Sequence, residues 1–142
     1  MTIFSDLQSY ADPKQAEILQ RFFKTKEWEY GAGDIFLWLK VPVQRMIAKK
    51  YIDLDFAILQ KLLDSKIHEY RLTALLILVL RNGKADPLVK DQIFDFYVKN
   101  TKNINNWDLV DLTAPGIVGN YLLERDRNLL YVFARSKHLR EK

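Results

Sequence analysis

Cysteine is absent from the 142 residues, which excludes a disulfide framework, a thiolate metal site and a cysteine nucleophile. Histidine is scarce as well. His68 and His138 are the only two, and neither has ligand-like companions at helical spacing. A zinc site is therefore not expected, and both read as ordinary surface or cap-region residues. Glycine and proline number five and four. Gly31 and Gly33 do not form a phosphate-cradling loop, and no Ser-His-Asp order or nucleophile elbow occurs. The longest strongly apolar run, Ala74 to Leu80, has seven residues, too few to cross a bilayer of about 30 Å. The opening Met1-Thr-Ile-Phe-Ser-Asp6 lacks the basic segment and apolar core of a secretory signal. Together these absences point to a cytoplasmic protein of bacterial type, with no membrane partner.

What remains is a chain 49% apolar and 28% charged, a balance that suits a soluble globular protein. Its length is enough for a single domain, residues 1–142, with a real core. The net charge of +4 permits an anionic partner without demanding one.

Apolar spacing is helical almost throughout. A first helix is predicted over Phe4 to Tyr10. Asp12-Pro13 starts a second, the aspartate capping and the proline taking the first helical position, with Ala16, Ile18, Leu19, Phe22 and Phe23 as its stripe. Tyr30 to Gly33 breaks the chain, and a link from Ile35 to Val41 leads to a helix opened by Pro42 and running to about Tyr51. Asp53 is placed to cap the next helix. Another begins at Ser65 or Lys66 and lasts to about Arg81, its centre apolar all round, with Asn82-Gly83 ending it. Asp86-Pro87 repeats the start signal for a helix to about Lys99. A last helix is predicted from Asn120 to Phe133. No strand alternation is evident. The expected fold is all-α, an α-solenoid of HEAT-like antiparallel helix pairs with about seven or eight helices. No crisp repeat at that period appears, so a plain helical bundle stays open on periodicity alone.

The most informative stretch is Asn105-Asn-Trp-Asp-Leu-Val-Asp111, followed by Leu112-Thr-Ala-Pro115. Asn105 or Asn106 is placed to cap the helix, and Asp108 suits the positive end of its dipole. Pro115 bends or breaks it. Trp107 and Asp111 are four apart, so they share one face. An aromatic plane beside a carboxylate suits a cationic or cation-forming partner. Each residue also has an ordinary account: Asp111 as a surface carboxylate favoured by the dipole, Trp107 as a partly buried anchor. Trp28, Phe22, Phe23 and Phe36 read as core. Trp38 is open between packing and an exposed aromatic.

Three segments, Tyr30 to Tyr51, Tyr70 to Val79 and Ile104 to Gly119, occur in the order that resembles the AlkD-type DNA alkylation repair family, a group of HEAT-like-repeat DNA glycosylases. The similarity spans roughly residues 15–139, and Asn-Trp-Asp-x-Val-Asp followed by Ala-Pro is its most specific part. The resemblance implies a solenoid curved around duplex DNA that hydrolyses the N-glycosidic bond of bases alkylated at N3 or N7. It implies no base-flipping pocket, and no metal or organic cofactor. Asp111 matches the family's catalytic aspartate, stabilising the sugar cation and orienting water, and Trp107 matches an aromatic that contacts the cationic nucleotide. Trp38 is the second candidate aromatic, and it replaces a small, glycine-like position of the family's Phe-Leu-Gly motif. Candidate phosphate ligands are Lys40, Arg45, Lys49, Lys50 and Lys102, with Lys99 beside them, although most such side chains merely solvate a helix face.

The departure from the family is at the end. Ser136-Lys-His-Leu-Arg-Glu-Lys142 resembles the start of a Ser-x-x-Leu-Trp-Glu-Arg-Arg-like segment, with Arg140 where the family has tryptophan. The expectation is an N-terminal portion of a glycosylase whose exposed apolar end self-associates. The alternative is a non-catalytic helical-repeat scaffold that binds DNA or protein.

Overall fold

The structure is a computed structural model that describes residues 2–22, 34–123 and 125–136, with side chains 19–22 left aside. Phe23, Trp28, the break at Tyr30 to Gly33, His138 and Arg140 lie outside the described residues, as do the side chains of Leu19 and Phe22.

The element order is α1 (Ile3–Ser9), α2 (Pro13–Phe22), α3 (Val41–Lys50), α4 (Phe56–Leu63), α5 (His68–Lys84), α6 (Pro87–Lys99), a 3-10 turn (Thr101–Asn103), α7 (Trp107–Ala114), a π turn (Pro115–Gly119), α8 (Asn120–Leu122) and α9 (Asn128–Ala134). Among the described residues there is no strand, only one isolated bridge between Ile35 and Ile67. The class is all-α, consistent with an α-solenoid. None of these helices is long and apolar enough to cross a membrane.

Local chemistry accounts for several starts. Thr2 and Ser5 form a reciprocal capping box at α1, Ser5 N donating to Thr2 Oγ1 at 3.2 Å and Thr2 N to Ser5 Oγ at 3.0 Å. Asp12 Oδ1 accepts from Lys14 N at 3.1 Å, and Asp86 Oδ1 from Val89 N at 2.9 Å, as the Asp-Pro pairs led one to expect. Asp53 does not cap α4. It lies in the turn after α3, and the helix starts behind Asp55, whose side chain makes no capping bond.

α5 is the axis. It is buried without interruption from His68 to Leu78 and packs on α3, α4, α6 and α7. Leu59, Leu62 and Leu63 from α4, Ile93 from α6, and Leu109 and Ile117 beyond it close the core around Leu72, Leu75, Ile77 and Leu78. α5 starts three residues later than Ser65 because the bridge holds that stretch extended: Ile35 N donates to Lys66 O and His68 N to Ile35 O, both at 2.8 Å. Nor does Asn82-Gly83 end it. Asn82 Nδ2 instead donates to Gly116 O at 3.1 Å, tying α5 to the π turn.

Pro115 has no N–H to donate back along α7, and the register widens there to the π turn. The helix expected from Asn120 to Phe133 is two. Arg127 Nε donates to Leu122 O at 3.3 Å at the end of α8. Asp126 Oδ1 accepts from Asn128 N at 3.0 Å to start α9.

Candidate functional site

α7 divides its residues sharply. Leu109 is fully buried, and Thr113 Oγ1 accepts from Tyr97 Oη at 2.8 Å and donates to Leu109 O. Burial pushes the Tyr97 phenol up to about 12, so it keeps its proton for that bond. On the outer side Trp107 is 48% exposed, and Asp111, one turn on, is exposed too. The indole and the carboxylate thus stand together on the open face of a helix whose inner face is locked.

The start of α7 is anchored differently from expectation. Neither Asn105 nor Asn106 caps it. Both side chains reach back to the buried Asp34, Asn105 Nδ2 donating at 2.9 Å and Asn106 Nδ2 at 2.5 Å. Asp34 also pairs with Arg71 at 2.6 Å. Burial disfavours its charge, yet hydrogen bonds from His68 and Arg71 outweigh that and hold Asp34 below the ordinary carboxylate value. Asp108 takes the helix-start role assigned to it, accepting from Leu109 N at 2.9 Å, and it also meets His68 Nε2 at 2.7 Å. His68 is therefore no surface residue, although as the first residue of α5 it does stand in the cap region. It is 2% exposed, with Phe36 stacked on its ring at 4.7 Å. The tertiary fold brings Asp34, His68 and Asp108 together across long sequence separations, so no local pattern marked them. The one available signal was two charged residues and a histidine, His68-Glu69-Tyr70-Arg71, opening a helix whose centre is apolar.

Trp38 sits where a second buried acid shapes the backbone. Glu69 accepts from Leu37 N at 3.0 Å and from Leu39 N at 3.1 Å. Between those anchored neighbours Trp38 has φ 59°, the left-handed region that favours glycine. The glycine-like position inferred for residue 38 is thus a real backbone demand, met here by a bulky residue under strain. Trp38 packs against Ala16 and Phe36 and is half-buried, so it is in part a packing residue. Glu69→Ala leaves the buried Leu39 N–H and the half-buried Leu37 N–H without an acceptor; chemical denaturation should show a loss of about 1–3 kcal/mol for the first and less for the second.

A cleft of about 420 Å³ opens between this segment, the start of α3 and α7, with Trp38, Val41, Pro42, Leu72, His68 and Asp108 in its lining. Its acids, amide and imidazole are already engaged: Glu69 by the backbone, Gln44 by Leu39 O at 2.8 Å and Thr73 at 3.3 Å, and His68 and Asp108 by each other. The cleft therefore offers a largely apolar wall that meets α7 at Asp108.

Of the basic candidates, Lys40 is exposed on the cleft rim, and Arg45 and Lys49 are exposed one turn apart on α3. Lys102 is exposed on the turn before α7. Lys50 is engaged elsewhere: its ammonium lies 2.6 Å from Asp6, which also accepts from Tyr51 Oη at 2.8 Å. Lys50 and Tyr51 hold Asp6 below the ordinary carboxylate value. Among the described residues there is no group of three or more His, Cys, Asp or Glu able to hold a metal.

A family model described as DNA alkylation repair enzyme matches residues 3–142. The chain belongs to that family. Membership assigns the DNA alkylation repair protein a general role in DNA repair, and the family's description is of enzymes. No curated protein and no solved structure matches the chain.

Proposed function

We propose that the chain is a DNA glycosylase that hydrolyses the N-glycosidic bond of N3- or N7-alkylated bases in duplex DNA, on one HEAT-like-repeat domain over residues 1–142. The observation that carries this reading is the paired exposure of Trp107 and Asp111 on one face of α7. An alkylated base already bears positive charge and leaves with the bonding electrons. The C1′–N bond breaks, the sugar takes on oxocarbenium character, and water adds at C1′ and loses a proton. Asp111 stabilises the developing charge and orients that water. Trp107 faces the cationic nucleotide, a contact contributing about 0.5–2 kcal/mol depending on desolvation. Trp38 adds an aromatic edge at the neighbouring cleft. No metal or organic cofactor takes part in this scheme.

Lys40, Arg45, Lys49 and Lys102 hold phosphates, with Lys50 contributing the ammonium protons that its pair with Asp6 leaves over. Each phosphate contact should steepen the salt dependence of binding by about 0.9 in the log–log slope. Replacing Arg45 and Lys49 together by alanine should reduce that slope by roughly 1.8 in fluorescence anisotropy titrations with duplex DNA. An unchanged slope removes both residues from the phosphate set. A cytoplasm, where the chromosome of a bacterial-type cell lies, is the compartment this reading requires.

The direct test is release of N7-methylguanine from methylated duplex DNA by the full chain. Release marks an enzyme, whereas binding without release marks a scaffold and refutes the glycosylase reading.

Self-association is the last part of the proposal. Leu123, Leu130, Tyr131 and Val132 are all exposed at the α8–α9 end. Sedimentation velocity should show a concentration-dependent dimer that Tyr131→Ser with Val132→Ser weakens; a monomer at all concentrations rejects it.

A further inference from the structure

Every residue flanking Trp107 is tied down by one buried cluster. Asn105 and Asn106 before it bond to Asp34, and Asp108 after it bonds to His68. His68 stands at the junction. Its Nε2 is 2.7 Å from Asp108 Oδ2, its Nδ1 is 3.2 Å from Asn106 Nδ2 and 3.7 Å from Asp34 Oδ2, and Phe36 covers one face of the ring. The ring thereby joins the segment before α3, the start of α5 and the start of α7.

We propose that His68 is a positioning residue, whose ring joins Asp34 and Asp108 and so fixes the direction of Trp107 and, one turn on, Asp111. This rests on the reading of those two side chains as the reacting face. His68 is not a catalytic residue: both ring nitrogens face carboxylates inside the protein, and the ring is buried.

The charge arrangement explains why a histidine serves here. Asp34, from the segment before α3, and Asp108, from α7, are two carboxylates converging on one ring. Arg71, on the same helix as His68, neutralises one through its pair with Asp34. Glu69, also on α5, is occupied by the backbone of Leu37 and Leu39, and Lys40 stands across the cleft at the start of α3. An imidazolium balances the second carboxylate. Burial works against that charge, but hydrogen bonds to Asp108 and Asp34 outweigh it and raise His68 above its ordinary 6.5. The raised value fixes the sign of the linkage. The stabilisation is complete below the unfolded value and is lost as pH rises through the folded one.

The test is an NMR titration of the full chain from about pH 5.5 to 9, following the His68 ring and the Trp107 indole N–H. His138→Gln and Trp107→Phe supply the assignments. The Trp107 resonance is expected to move with the His68 midpoint, and that midpoint to lie above 6.5. In Asp108→Asn the His68 midpoint should fall and the Trp107 response should separate from it. A Trp107 resonance that stays flat while His68 titrates overturns the proposal, as does a His68 midpoint at or below 6.5 in the unaltered chain. Should Asp108→Asn fail to fold, the co-titration in the unaltered chain decides alone. In a base-release assay Asp108→Asn should lower kcat by about 10–100-fold with KM little changed. Co-titration without any base release in the unaltered chain upholds the positioning and overturns the glycosylase reading. Release without co-titration does the reverse.

Discussion

Asp111→Asn should lower the rate of base release from methylated duplex DNA by a factor of about 10²–10³, while the thermal midpoint stays nearly unchanged. The size follows from electrostatics. A group aimed at charge that develops in the transition state is worth about 2.7–4 kcal/mol when removed. The amide keeps the shape of the carboxylate but not its charge, so it no longer offsets the oxocarbenium ion. Stability should hold to within about 0.5 kcal/mol, because Asp111 is exposed and no buried group among the described residues depends on it. Single-turnover assays beside thermal melts separate the two quantities. Equal release by Asp111→Asn and the unaltered chain removes Asp111 from the chemistry, whatever the fold is. Trp107→Ala should cost less in the same assay, roughly 2–30-fold, since a cation over an indole face contributes about 0.5–2 kcal/mol.

Asp34→Ala should destabilise the fold by about 3–5 kcal/mol, the cost of removing one partner from a buried ion pair. Arg71 loses its counter-ion, and Asn105 and Asn106 lose the acceptor that holds the start of α7. Against a typical total of about 5–15 kcal/mol, that is a large share, and at about 4 °C per kcal/mol the melting midpoint should fall by roughly 12–20 °C. The pH dependence should change as well. Asp34 lies below its ordinary 3.8 in the fold, so its contribution is present above that value and lost as pH falls through the lower one. Melts of Asp34→Ala should therefore be flatter in the acid range than those of the unaltered chain. A loss near zero, measured by urea unfolding, places the anchoring of α7 elsewhere.

Both predictions concern α7, but they were unequally visible in the sequence. Trp107 and Asp111 are four residues apart, and helical geometry alone sets them on one face. Asp12-Pro13 and Asp86-Pro87 carried their helix starts within three residues of chain. Asn105 and Asn106 show the limit of such reasoning. Both are good cap residues, yet a buried carboxylate 71 and 72 positions away competed for their amides and won. Asp53 lost its capping role to a turn that runs on to Asp55. The stretch from Asn120 to Phe133 kept its apolar character but was divided where Arg127 and Asp126 satisfied the free helix ends.

By itself the sequence determined the all-α class, the Asp-Pro helix starts, the sharing of a face by Trp107 and Asp111, and the resemblance that family membership bears out. These depend on backbone geometry and on spacing within a few turns. Only the tertiary structure decided that His68 is buried between Asp34 and Asp108, that Glu69 holds the backbone around a left-handed Trp38, and that Lys50 is tied to Asp6. Those contacts join residues 30 to 44 positions apart, and whether a charge meets solvent or a partner is settled only when the chain has closed around it.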